Sequence, residues 1–430
     1  MRTLYRRFIS ALFRGIARRI IARHRPTIIG VTGSVGKSST KEAICAVLER
    51  ERSVRKSPGN LNNEIGFPLA VIGGETYYGN ARGVGFVWRT VVAGMRLLAR
   101  RAQYPELLVL EYAADRPGDL DRLLAIARPR VGVVSAVSEI PVHVEFYASV
   151  DEVTREKAKL VRALPSDGLA VLNADDPRAL GMAGSSRAPV VTFGFSERSE
   201  VRIAAFEHFN GGAESGIMFR LGYKGEVVPV KIPGVLGRGQ AYAAAAAAAV
   251  GMHFGMSLAR AASALAFYRP LPGRARLLPG IKSSRIIDDT YNAAPLSMRE
   301  ALQTLRDLKG ARRVAVLGDM AELGAYAAYA HEEIGRAASG AADLLVTVGS
   351  RARLIAEGAR RGGFVKKNIL SFESADEARL EVQRLIEPGD LVLVKGSQSM
   401  RMEKIVLEIM AEPERAGELL ARQYGKWLAS

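Results

Sequence analysis

At 430 residues the chain is too long for one ordinary domain, so two or three are expected; 48% hydrophobic and 24% charged residues suit globular units with sizeable cores. A single cysteine, Cys45, excludes disulfides and a cysteine metal site and is compatible with a reducing cytoplasm. The net charge of +17 leaves nucleic acid, anionic membrane, or anionic substrates and nucleotides as partners.

Residues 1–25 carry Arg2, Arg6, Arg7, Arg14, Arg18, Arg19, Arg23 and Arg25 and no acid. Leu4, Phe8, Leu12, Ile16 and Ile20 recur every four residues, which predicts a basic amphipathic helix. No run here is long enough to span a bilayer, and arginines interrupt any signal-peptide core. Two readings stay open: a helix lying on an anionic membrane surface, or one packed on its own domain.

Next comes a strand, Thr27-Ile28-Ile29-Gly30-Val31, then Thr32-Gly33-Ser34-Val35-Gly36-Lys37-Ser38-Ser39-Thr40, then a helical pattern from Lys41 to Glu49. Strand, glycine turn and helix together form a phosphate cradle. Gly33 and Gly36 let the backbone curl so that N–H groups point inward, and the helix start adds partial positive charge. Lys37 can reach β/γ-phosphates and the Ser38 hydroxyl can hold Mg²⁺. Val31 stands where the general P-loop pattern has its first glycine.

Residues 56–68, rich in glycine, proline and asparagine, read as a loop; Asn60, Asn62 and Asn63 either orient a polar substrate or make an ordinary turn. A basic amphipathic helix over 86–102 leads to the buried strand 106–111, which ends in Glu111. A carboxylate there faces the ligand crevice of a parallel sheet, or simply water. The strand 131–135 precedes a loop holding His143, a metal or phosphate ligand or a structural residue. Within the helix 151–164, Lys157 and Lys159 read by themselves as surface lysines.

A strand and turn cover 170–177, and strand-like stretches around 190–205 and 216–232 predict a mixed or antiparallel sheet edge. Ala241 to Val250 is a packed helix. Prolines and glycine around Arg269–Arg274 mark a boundary. Beyond it, strands at 286–289, 313–319, 344–348 and 391–394 alternate with helices, giving a second parallel α/β unit.

With these segments in order the chain resembles the Mur ligases, in particular the branch that adds D-alanyl-D-alanine. The resemblance runs from Thr27 to the last helix. It rests on Thr32–Ser39, Asn60–Pro68, Val109-Leu110-Glu111, His143-Val144-Glu145, Glu156-Lys157-Ala158-Lys159-Leu160, Asp288–Pro295, Leu317–Gly324 with His331, and Lys395-Gly396-Ser397 with Met402-Glu403. It implies an α/β fold: a central P-loop domain with a mostly parallel sheet (26–272) and a C-terminal Rossmann-like domain (273–430), after the basic helix 1–25. It further implies ATP and two Mg²⁺ ions as cofactors. Gly33, Ser34, Val35, Gly36, Lys37, Ser38, Ser39, Arg274, Asp289 and Asn292 would contact nucleotide. Ser38, Glu111, His143 and a carbamylated Lys157 would hold metal, with Lys37, Glu111, His143 and Lys157 catalytic. Asn60, Asn62, Asn63, Lys395 and Ser397 would face substrate.

The implied reaction is amide formation through an acyl phosphate, joining D-Ala-D-Ala to a UDP-muramoyl-tripeptide for peptidoglycan. It implies a cytoplasmic monomer without a nucleic-acid partner, residues 1–25 being the segment open to peripheral membrane contact. The sequence departs from the family at Leu236, Gly237 and Gln240, where the family has His-Asn and Asn by the adenine, and at Ala294, which replaces an asparagine. Only the basic segment precedes Thr27, where the family has a uridine-nucleotide domain. That departure motivates an alternative: the same chemistry on a polyglutamate-type or lipid-linked acceptor. A rival of another class is a nucleotide-gated binding protein whose basic arm contacts nucleic acid or membrane.

Overall fold

Apolar runs too continuous to face water on either side dictate two sheets. The computed structural model describes residues 2–59, 62–73, 84–99, 103–209 and 215–427. The first sheet comprises β1 (Thr27–Thr32), β2 (Val54–Lys56), β3 (Leu107–Glu111), β4 (Val131–Val134), β5 (Leu169–Asn173), β6 (Val190–Gly194), β7 (Val201–Phe209), β8 (Gly216–Tyr223) and β9 (Glu226–Pro233). Their order is β2-β3-β1-β4-β5-β6-β7-β8-β9. Neighbours are parallel from β2 to β7 and antiparallel from β7 to β9, the mixed edge expected from 190 to 232. Leu107 to Leu110 are buried on both faces, as parallel strands require, whereas β9 alternates buried Val230 and Ile232 with exposed Lys231.

One face of this sheet is covered by α2 (Lys37–Leu48) and the alanine-rich helix Arg238–His253. Small residues let the two approach closely, and at one point only glycine fits: a Cβ on Gly251 would lie 2.7 Å from Val47 Cγ1. The opposite face is covered by α1 (Arg2–His24), α3 (Gly66–Ile72) and α4 (Val84–Ala99). Thus α3 starts inside the stretch 56–68 that reads as a loop. The expected stripe on α1 also needs correcting. Ile16 and Ile20 are buried, but Phe8 is 66% exposed, and the inward line is Ile9, Phe13, Ile16, Ala17 and Ile20. A strict four-residue repeat drifts about 40° per step around a helix of 3.6 residues per turn, which carries Phe8 off the packed side. Of the two readings, packing on the chain's own domain holds for the inner side. Among the described residues no helix is long and apolar enough to cross a membrane.

The second sheet comprises β10 (Arg276–Pro279), β11 (Arg285–Asp289), β12 (Arg313–Gly318), β13 (Leu344–Val348), β14 (Ile369–Phe372) and β15 (Leu391–Lys395), ordered β10-β11-β15-β12-β13-β14. Only β10 runs antiparallel to its neighbour. The helices Pro295–Asp307 and Ala327–Ser339 pack on one face, Ala375–Leu385 and Glu403–Ile409 on the other. In the first sheet β1 lies between β3 and β4, so chain connections leave it in opposite directions and open a crevice at its carboxyl end. The loops of the second sheet face that crevice.

Candidate active site

The cradle after β1 is shaped by backbone packing. Gly33 (φ 144°) and Gly36 (φ 86°) occupy conformations that favour glycine. A Cβ on Gly33 would come 2.2 Å from Ser135 Oγ and 2.9 Å from the Ala136 carbonyl. The Ser34 N–H donates to the Ala136 carbonyl (2.6 Å), and Ser135 Oγ donates to the Val35 carbonyl (2.6 Å). The segment after β4 therefore clamps the turn from behind. No side chain caps α2, so its amino-terminal N–H groups face the crevice. Lys37 Nζ folds back to donate to the Gly33 carbonyl (2.9 Å). Burial, its largest influence, lowers the Lys37 pKa.

Glu111 closes β3 directly beside Val31 and is 1% exposed. Among the described residues its Oε1 has no hydrogen-bond donor, and the nearest cation, Lys41 Nζ, stands 3.4 Å away. Lys41 is a residue the motif reading missed. It is fully buried and donates to the carbonyls of Ser57 (2.6 Å) and Gly59 (2.8 Å), fixing that loop while balancing Glu111. The available signal was its place one helical turn after Lys37, on the inward side of α2.

Lys157, from the helix Val150–Arg162, is also fully buried and donates to the same Gly33 carbonyl as Lys37 (3.1 Å). Burial first, and then the Lys37 charge, push its pKa down to about 7. Two positions on, Lys159 turns outward and pairs with Asp121 and Glu156, both at 2.6 Å. Helical geometry thus makes one lysine buried and its neighbour a surface pair.

His143 (φ 69°) sits between two carboxylates: Nδ1 is 2.5 Å from Glu322 Oε2 and Nε2 is 3.2 Å from Asp115 Oδ1. The adjacent His143 imidazole holds the Glu322 carboxyl below its usual range. Glu322 belongs to the loop after β12, so this contact joins the two units. Among the described residues no three His, Cys, Asp or Glu side chains form a ready metal cluster.

The second unit adds a polar turn after β11. Buried Asp288 accepts from the Gly273 N–H (3.0 Å) and Thr290 Oγ (2.6 Å), tying the crossing segment to the sheet; burial raises its pKa to about 6. Lys395 Nζ donates to Asp289 (2.6 Å) and the Asn292 carbonyl (2.9 Å). Arg274 stacks 4.0 Å over Tyr291 and donates to Ser38 Oγ at 3.4 Å, and among the described residues its buried Nε has no partner. Gln240 spends its amide locally, accepting from Tyr268 (2.5 Å) and donating to the Arg274 carbonyl (3.1 Å).

Between the units lies a cleft of about 220 Å³. Ser34, Val35, Gly36, Lys37, Ser38, Ser39, Asn62, Glu111 and His143 line it from one side, and Arg274, Asp289, Asn292 and Lys395 from the other. Gly33 and Lys157 lie behind the turn. Asn63 instead accepts from the Ile65 and Gly66 N–H groups at the start of α3. Ser397 is buried and accepts from the Ala321 N–H (2.8 Å). Asn60 lies outside the described residues. Glu300, missed in the sequence, lines both this cleft and an adjoining one of about 490 Å³, and burial raises its pKa to about 7. It carries no motif, so only the fold could find it.

A P-loop on one parallel sheet, faced by charged loops of a second, defines a two-unit P-loop α/β protein. The chain belongs to the Mur ligase family: residues 91–251 match the Mur ligase middle domain, and residues 273–398 match the Mur ligase, glutamate ligase domain. It is 32% identical over 407 residues to a UDP-N-acetylmuramoyl-tripeptide–D-alanyl-D-alanine ligase of Mycobacterium tuberculosis, covering 90% of this chain and 73% of the relative. The ligase of that name from Bacillus subtilis is 29% identical over 388 residues, covering 90% and 76%. Among solved structures, MurF ligase from Thermotoga maritima in complex with ADP superposes with a TM-score of 0.76 at 26% identity, covering 94% of this chain and 84% of that one.

Proposed function

We propose that this protein is an ATP-dependent ligase joining D-alanyl-D-alanine to UDP-N-acetylmuramoyl-tripeptide, a cytoplasmic step that forms a peptidoglycan precursor. The observation that carries the reading is the cleft itself. It gathers a P-loop lysine, a buried carboxylate and a histidine from one sheet, and Arg274, Asp289 and Lys395 from the other. The named relatives supply the substrates. We take residues 26–272 and 273–430 as two units that close on their ligands.

In this reading the substrate carboxylate takes the γ-phosphoryl group of ATP. The amine then attacks the acyl phosphate, and phosphate leaves with the carboxylate's former oxygen. Lys37 swings from the Gly33 carbonyl to the γ-phosphate, and the α2 N–H groups hold the chain in line. Arg274 turns its unpartnered Nε to the phosphates. The Asp289–Lys395 pair holds the Asn292 turn against the nucleotide.

Ser38 and Glu111 fit Mg²⁺: both offer oxygen, and Glu111 Oε1 is buried with no donor among the described residues. Bound there, the ion would neutralise phosphate charge. His143 and a carbamylated Lys157 would serve a second ion. Carbamylation fits the burial of Lys157 beside Lys37. The neutral amine adds to CO₂, an N–C bond forms and a proton leaves, so a repelling cation becomes an attracting anion.

Purified protein with Mg²⁺, ATP, UDP-N-acetylmuramoyl-tripeptide and D-Ala-D-Ala should release ADP and phosphate in step with an amide product detected by mass. Absence of that product, with ADP release on another acid acceptor, would transfer the chemistry to a different substrate.

A further inference from the structure

We propose that the outward face of the paired helices α1 and α4 is a docking surface for an anionic lipid bilayer. The proposal is independent of the ligase reading and rests on charge, exposure and helix pairing.

No aspartate or glutamate precedes Glu42, and none lies between Glu75 and Glu106. Both helices fall within these acid-free stretches. α1 packs its inner side on α3 and α4, and its contacts with α4 fix the direction of the pair. The Phe13 and Phe86 rings meet edge to face at 6.2 Å, and a Cβ on Gly94 would strike Ile16 Cγ2 at 2.4 Å. Farther along, His24 Nε2 is 3.0 Å from the Leu97 carbonyl. Residue numbers rise together along both helices, so the pair is parallel and the carboxyl-terminal half of α1 runs along α4.

The outer sides of the two helices combine two chemistries. Arg7, Arg14, Arg18, Arg19 and Arg23 on α1 and Arg89 and Arg96 on α4 are exposed, and among the described residues no carboxylate pairs with them. Of the twelve exposed large apolar side chains among the described residues, four are on this pair: Tyr5, Phe8, Trp88 and Met95. Trp88 is 67% exposed and Met95 53%, two helical turns apart on one side of α4, with Arg89 and Arg96 beside them. An apolar strip that stays in water is costly unless a partner covers it.

This combination selects the partner. A nucleic-acid duplex presents a charged backbone that asks for positive charge and offers nothing apolar to cover tryptophan, phenylalanine and methionine. A bilayer surface uses both: guanidinium groups meet headgroup phosphates, while tryptophan, phenylalanine and methionine enter the acyl boundary. α1 runs about 35 Å at 1.5 Å per residue, long enough to lie along such a surface. It ends just before β1, whose far end carries the P-loop, so docking would set the cleft roughly 20 Å from its anchor along a six-residue strand.

The test is co-sedimentation of the full chain with phosphatidylglycerol–phosphatidylcholine vesicles and with phosphatidylcholine alone, at low and high salt. Binding should need the anionic lipid and weaken with salt. The double variants Trp88→Ser/Met95→Ser and Arg14→Glu/Arg18→Glu should each lower it at least ~10-fold. Both alter exposed positions, so thermal unfolding and nucleotide binding should stay as in the parent. Failure to bind anionic vesicles would overturn the proposal, as would binding that both variants leave unchanged. Equal affinity for a DNA duplex, insensitive to the Trp88/Met95 change, would assign the face to nucleic acid and overturn it too.

Discussion

The two walls of the cleft are built by different means. On the P-loop side, backbone does the shaping: two positive-φ glycines, a serine clamp just after β4, and a helix start left uncapped. On the other side, side chains engage one another across short distances, Lys395 paired with Asp289 and Arg274 stacked on Tyr291. A backbone cradle keeps its form whether or not phosphate is present. A wall of mutual ion pairs and stacking must exchange partners when ligand arrives. The first wall should fail all at once when altered, and the second by degrees.

The sharpest break should come from Lys37→Ala, expected to lower kcat roughly 10²–10³-fold by removing charge from the transferring phosphoryl group. Gly33→Ala forces a Cβ against Ser135 Oγ at a φ of 144° and should abolish measurable nucleotide binding; calorimetric titration with ATP checks it. On the opposite wall, Lys395→Met should raise the KM for ATP about 10-fold with a smaller change in kcat, because it loosens the Asn292 turn without touching the P-loop.

Lys157 tests how the back of the cradle works. Its amine is neutral above about pH 7, so turnover of CO₂-stripped enzyme should recover on adding bicarbonate at pH 8 and hardly at all at pH 6. The smallest effect concerns Glu300. Its folded pKa of about 7 lies above the usual carboxylate value, so the native state loses stability as pH rises toward 7. Glu300→Gln should therefore raise Tm by about 2–4 °C at pH 8 and leave it unchanged below pH 5.

How much of this could be read from the chain depends on what encodes it. Long apolar strands and the glycine–lysine turn are local signals, so both sheets and the P-loop were legible. Short pieces such as β2 and β14 owe their form to pairing with neighbours, and α3 begins in a stretch whose asparagine and proline read as loop. Lys157 shows the limit most clearly. Alone it resembles Lys159, and only the family resemblance singled it out; its burial depends on which side of its helix meets Gly33. Glu300 and Lys41 are set by contacts across the fold, Lys41 to Glu111 and the Ser57–Gly59 loop, and no motif marks either.

The most direct test of the ligase account follows oxygen. UDP-N-acetylmuramoyl-tripeptide labelled with ¹⁸O in its terminal carboxylate should pass one labelled oxygen into the released phosphate for each amide formed. Phosphate free of label, alongside amide product, would contradict activation of the carboxylate by phosphoryl transfer in this cleft.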